Sequence, residues 1–166
     1  MVLDAIRTRR SIREYTPQPL TDEQVRLLLE AAMLAPSAND SRPWEFVVVR
    51  DESLRKQLAR THPWSGMAAQ APVVFVVLGD ERRSPRHWVE DTSAATENLL
   101  VQAAAMGLGA VWVAVYPDQS REEYVRVALG IPGHLRVLCL VPVGHPASPK
   151  PPRDRFEEKR VHYDRY

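Results

Sequence analysis

The sequence predicts one domain of mixed helices and strands. Three observations carry that prediction. Pro72-Val73-Val74-Phe75-Val76-Val77-Leu78 is a continuous, largely β-branched run, the pattern of a strand buried on both faces. Trp88 to Met106 is the longest helical stretch and is apolar almost all round after Ala94, so it is buried on more than one side. The chain has 166 residues, 45% hydrophobic and 26% charged, enough to bury a core and ordinary for a soluble globular domain.

The remaining elements follow in order. Residues 2–9 read as a short helix with Leu3 and Ile6 on one side. Pro17 and Pro19 keep the next segment extended. Thr21 with Gln24 three residues on is a capping box, and Val25, Leu28, Leu29 and Ala32 behind it keep helical spacing up to a stop near Pro36. Trp44 to Val49 reads as a strand and Leu54 to Ala59 as a short helix. Between them and the β-branched run, residues 62–67 form a loop with large side chains that either border a pocket or pack on the core. Glu90 and Asp91 suit the N-terminus of the long helix, which Gly107-Leu108-Gly109 ends. That helix is either central to the domain or part of a subunit interface. Ala110 to Val115 reads as a third strand, Arg121 to Leu129 as a helix stopped by Gly130, and Leu135 to Val143 as a fourth strand. The proline-rich stretch from Pro142 to Pro152 cannot join a helix and is expected to be extended, and the tail continues beyond it. Its Phe156, Val161, Tyr163 and Tyr166 need a surface, so it is expected to wrap over the body or over a second subunit.

Composition excludes several function classes. The net charge of +1 gives no general attraction to nucleic acid or acidic membranes, so any anion site comes from local clustering. No run approaches the ~20 apolar residues of a membrane span, and no apolar leader opens the chain, so a cytoplasmic protein is expected. The single Cys139 sits in an apolar run and reads as a buried thiol. There is no GxxxxGK[ST] loop, HExxH, CxxC or GxSxG, and the five histidines share no ligand spacing. A hydrolase or metalloenzyme is unsupported.

Two short stretches stand out. Arg9-Arg10-Ser11-Ile12-Arg13 packs three guanidiniums and a hydroxyl into five residues. If extended, it places Arg9, Ser11 and Arg13 on one face, an arrangement suited to a phosphate; the alternative is a solvated basic patch. Pro36-Ser37-Ala38-Asn39-Asp40-Ser41-Arg42-Pro43 is a loop of small polar residues. Either it lets the backbone approach something flat or bulky, or it is a plain connector. With the buried helix, these features would suit a tightly held phosphorylated cofactor.

In this order and spacing the chain resembles the short form of the nitroreductase family of FMN-dependent oxidoreductases. RRSIR resembles the family's Arg-x-Ser-x-(Arg/Lys) segment, which holds the FMN phosphate and ribityl chain and reaches the pyrimidine edge of the flavin. The resemblance therefore implies Arg9, Arg10, Ser11 and Arg13 as FMN ligands, with Arg9 on the phosphate and Arg13 supporting negative charge on the reduced flavin. APSANDSRPWEF resembles the Pro-Ser-x-x-Asn-x-Gln-Pro-Trp loop that reaches the flavin from the other subunit, which implies Pro36, Ser37, Ala38 and Asn39. Arg42 stands where the family usually has glutamine.

The helix DTSAATENLLVQAAAMGLGAVW resembles the family's interface helix and its exit. AVYP resembles the segment beside the flavin N5 edge, which implies backbone contacts at Val115 and Tyr116. PKPPRDR resembles the basic stretch that completes the phosphate site, which implies Arg153 and Arg155 with Lys150 behind them. An asparagine and a lysine that longer members use have no match between Arg60 and Ala71. The implied fold is α+β: a mixed, mainly antiparallel sheet flanked by helices, residues 1–166 forming one domain of a homodimer with the tail over the partner. The implied activity is ping-pong hydride transfer from NADH or NADPH through FMN to a nitroaromatic or quinone, with no catalytic side chain and no metal. The competing classes are a flavin carrier or sensor without turnover and, against the charge balance, a nucleic-acid module.

Overall fold

A five-stranded sheet divides the protein into two packed layers. The computed structural model describes residues 1–166. The helices are α1 (Asp4–Thr8), α2 (Asp22–Met33), α3 (Glu52–Leu58), α4 (Trp88–Ala105) and α5 (Gln119–Leu129). The strands are β1 (Trp44–Val49), β2 (Val73–Asp80), β3 (Gly109–Ala110), β4 (Val113–Ala114) and β5 (Leu135–Gly144). They run in the order β1-β2-β5-β3, with β4 also paired to β5, and every strand pair is antiparallel. The sheet is mixed only through an isolated parallel bridge between Ser11 and Ala110.

Side-chain alternation explains the layers. Val73, Phe75 and Val77 of β2 point toward α2 and α4, where they meet Leu28, Ala95 and Leu99. Val74, Val76 and Leu78 point the other way, onto Leu58 of α3 and Val125 of α5. β2 is buried along its whole length, as its β-branched run predicts. On β5 the alternation changes phase. Leu135 and Val137 share a face with Leu140 rather than with Cys139. The cause is a bulge: Val77 pairs with Cys139 but Leu78 with Val137, leaving Leu138 as the extra residue.

Local signals hold where the sequence placed them. The Thr21–Gln24 capping box is formed in both directions (3.1 and 2.9 Å). Asp51 and Asp118 cap α3 and α5, and Gly130 takes the left-handed conformation (φ 64°) that ends α5. Three expectations need correction. The strand expected over Ala110–Val115 is broken into β3 and β4, because Val111 and Trp112 lie between two short pairings on β5. The loop after Pro36 contains a 3₁₀ turn, Ala38–Asp40. α1 is shorter than residues 2–9 and buries none of its side chains. α4 packs into the core of this chain, its own Ala95, Leu99 and Ala103 fully buried.

Candidate functional site

Arg9 caps the end of α1 and already has an extended backbone (φ −54°, ψ 125°), its N–H donating to the Ala5 carbonyl (3.1 Å). Beyond Arg10 the chain joins the sheet edge through the Ser11–Ala110 bridge and the Ile12 N–H, which donates to the Ala110 carbonyl (3.0 Å). Ile12 is buried there against Gly109, where a Cβ would stand 2.6 Å from the isoleucine methyl. Only glycine admits that approach.

The tail returns to this edge. The Thr16 N–H donates to the His145 carbonyl (2.8 Å) and the Ala147 N–H to the Glu14 carbonyl (3.0 Å). Lys150 Nζ donates to the Ser11 carbonyl (3.2 Å), and Arg10 Nη1 donates to the Pro151 carbonyl. These bonds bring Arg153 and Arg155 to Arg9 and Arg10 across some 140 residues of sequence. These four arginines, with Arg7, which pairs with Asp4 (2.7 Å), line one cavity of about 570 Å³, walled on its apolar side by Val2, Ile6 and Phe156. Arg9 has a carboxylate partner, the half-exposed Glu97 of α4 (3.3 Å). The one acid in the wall, Asp154, accepts from the Phe156 N–H (3.1 Å). Desolvation, then the charges of Arg153, Arg155 and Arg9, press the Arg10 pKa below its ordinary value. Like charges held together beside an apolar wall suit an anionic group attached to an apolar body. The volume is that of a small-molecule site.

The other candidate residues do not line this cavity. Arg13 is exposed, and the Ser11 carbonyl is engaged by Lys150. Val115 is fully buried; its N–H and that of Tyr116 both donate to the Leu138 carbonyl (3.1 Å each), so the bulge of β5 fixes this segment. Ala114 is its exposed residue. The Tyr116 ring meets Trp88 edge to face (4.9 Å), and the Arg136 guanidinium lies 5.3 Å from both ring centroids.

Pro36–Asn39 form no part of the arginine cavity, and Pro36 and Asn39 are exposed. Asn39, Asp40 and Arg42 all take positive φ (53°, 53° and 44°). Each such residue costs about 1 kcal/mol, less for Asn and Asp. The loop is held by the Arg42 N–H donating to Ser37 Oγ (3.0 Å), by the Arg42–Asp40 ion pair, and by Asp91, which accepts from the Ala38 N–H (2.9 Å). Asp91 is more than a charge suited to a helix start: Asp91, Ala95 and Leu99 fall at i, i+4 and i+8 and are all buried, so the acid needs partners.

No group of three or more His, Cys, Asp or Glu side chains is placed to hold a metal. No helix is long and apolar enough to cross a membrane.

The nitroreductase family matches residues 6–62 and 59–145. This chain belongs to that family. It is 41% identical, over 99% of its length and 87% of the relative's, to a protein of Methanothermobacter thermautotrophicus named "putative NADH dehydrogenase/NAD(P)H nitroreductase". A crystal structure of a protein given the same name, from Parabacteroides distasonis, superposes with a TM-score of 0.96 at 39% identity, covering 98% of this chain and 97% of that one. An FMN-dependent nitroreductase of Clostridium difficile superposes with a TM-score of 0.93 at 29% identity, covering 98% of each chain. The α+β fold, with its mainly antiparallel sheet, is thus that of the family.

Proposed function

We propose that this member of the nitroreductase family is an FMN-dependent oxidoreductase that works as a homodimer. It would use NADH or NADPH to reduce a small acceptor such as a nitroaromatic or a quinone. The observation that carries the reading is the convergence of Arg9, Arg10, Arg153 and Arg155 on one cavity with an apolar wall. A phosphate joined to a flat, largely apolar ring matches that donor set. When bound, FMN would supply the hydride chemistry that a ping-pong exchange between nicotinamide and acceptor needs.

The chain supplies placement and charge. Arg9, Arg10, Arg153 and Arg155 hold the phosphate, with Lys150 tying the tail to Ser11 behind them. Arg13 lies exposed beyond the cavity and favours negative charge on the pyrimidine side. The backbone of Val115 and Tyr116, fixed on the Leu138 carbonyl, would approach the N5 side. Pro36, Ser37, Ala38 and Asn39 form no part of the arginine cavity of their own chain, as expected of a loop serving a second copy. Two groups of exposed apolar side chains favour a dimer. These are Val2, Leu3 and Ile6 at α1, and Phe156, Tyr163 and Tyr166 on the tail, all more than half exposed. The tail is thus expected to cross onto the partner.

The test is a visible spectrum followed by reduction. Purified protein is yellow, releases FMN on heating, bleaches with NADH or NADPH without oxygen, and recovers its colour on adding a quinone or nitroaromatic. A flavin-loaded protein that neither nicotinamide bleaches is a carrier, which refutes the enzymatic reading.

A further inference from the structure

Asp91 is 5% exposed, and its hydrogen bonds leave its own helix. The Ala38 N–H donates to Oδ1 (2.9 Å) and the Ser84 hydroxyl to Oδ2 (2.7 Å), with the Ser41 hydroxyl at 3.4 Å from Oδ2. One carboxylate thus joins the start of α4 to two separate loops. A residue serving only to complement the helix dipole would leave its carboxylate near solvent or on the first-turn amides.

We propose that Asp91 is a positioning residue for flavin binding. It fixes the 3₁₀ turn Ala38–Asp40 in the shape that meets FMN. The proposal rests on the FMN reading above. The turn needs an anchor because Asn39, Asp40 and Arg42 all hold positive φ. The other side-chain contacts of this loop, Ser37 with Arg42 and Asp40 with Arg42, lie at the exposed surface, where water competes. Asp91 alone grips it from the interior. Ser84 holds the second oxygen, so the carboxylate cannot rotate away without losing a short buried bond. The loop's register toward a flavin is therefore set by a residue that touches no flavin.

Flavin-free protein is titrated with FMN and flavin fluorescence quenching is followed, with oligomeric state and melting temperature measured on each variant. Asp91→Ala raises the FMN Kd about tenfold, the equivalent of one charge-assisted hydrogen bond. Asp91→Asn stays within about threefold, because its amide oxygen still accepts from Ala38 and its amide nitrogen donates to Ser84. Ala38→Pro deletes the donor from the loop side. Ser37 already has the extended backbone that precedes a proline (φ −143°, ψ 153°), and Ala38 opens its turn, where proline is accommodated. Ala38→Pro weakens FMN binding in the same direction, and the double variant is no weaker than the weaker single variant, because both remove one bond.

A folded Asp91→Ala protein with wild-type Kd overturns the proposal, as does an Asn variant as impaired as the Ala variant, or an additive double variant. If Asp91→Ala does not fold, a wild-type Kd in Ala38→Pro overturns it instead. Wild-type protein that takes up no FMN sinks the cofactor reading and this role together. Wild-type binding with unaffected variants sinks this role alone.

Discussion

Arg136 offers the sharpest test of the energetics behind the Tyr116 segment. Its Nε and Nη2 donate to the two oxygens of Glu122 (2.9 and 2.8 Å), and Nη1 reaches Glu81 (3.1 Å). The Glu122 side chain is only 6% exposed, so its charge depends on this partner, with a long bond from the Val137 N–H (3.4 Å) as its other support. The perturbation is Arg136→Met, which keeps an apolar stem over the Trp88 and Tyr116 rings and removes the charge. Breaking a buried pair from one side costs about 3–5 kcal/mol. The Arg136 side chain is 28% exposed, so water reaches the site and about 3 kcal/mol is expected. For a chain of this size that corresponds to a melting-temperature loss of about 6–12 °C. The assay is urea and thermal unfolding at one fixed protein concentration, since a dimer's stability depends on it. Glu122→Gln alone should cost less, because Arg136 keeps Glu81. The double variant should cost less than the sum of the singles by about 2 kcal/mol, because no uncompensated buried charge remains. An Arg136→Met protein within about 0.5 kcal/mol of wild type, or strictly additive variants, would refute the reasoning.

Three further outcomes follow. Arg10→Ala or Arg153→Ala should weaken FMN retention about tenfold each, read by dialysis and residual 450 nm absorbance, and raised salt should weaken the wild type likewise. Arg13→Ala should leave FMN bound but lower its midpoint potential by about 20–40 mV, the effect of ~1–2 kcal/mol on a two-electron couple, measured by dye-equilibrated titration; an unchanged potential removes that role. The hydrogen bond from Arg82 depresses the Asp80 carboxyl to about 2, and backbone bonding adds to it. Because the folded-state pKa lies below the unfolded one, Asp80 stabilises the fold above pH 4 and loses that contribution as pH falls toward 2. Asp80→Asn should therefore flatten the acid limb of the urea midpoint measured between pH 5 and 2.

The elements whose evidence spans a few residues were readable in the chain. The Thr21–Gln24 box, the Gly130 stop and the β2 run are local rules of backbone and side chain, and each is realised in place. The motif order also determined the family, since each short segment keeps its chemistry. Tertiary contact alone decided the rest. Nothing near Leu138 predicts that it bulges, because a bulge is a mismatch between two strands and belongs to neither. That same bulge presents the carbonyl that fixes Val115 and Tyr116 and accompanies the break of the expected third strand. The arginine cavity joins residues 9 and 10 to 153 and 155, and Asp91 holds a loop 53 residues away. In the open chain these arginines lie too far apart to interact, and only the packing and backbone hydrogen bonds of the folded chain bring them together against their repulsion, so a linear reading finds the arginines but not their meeting point.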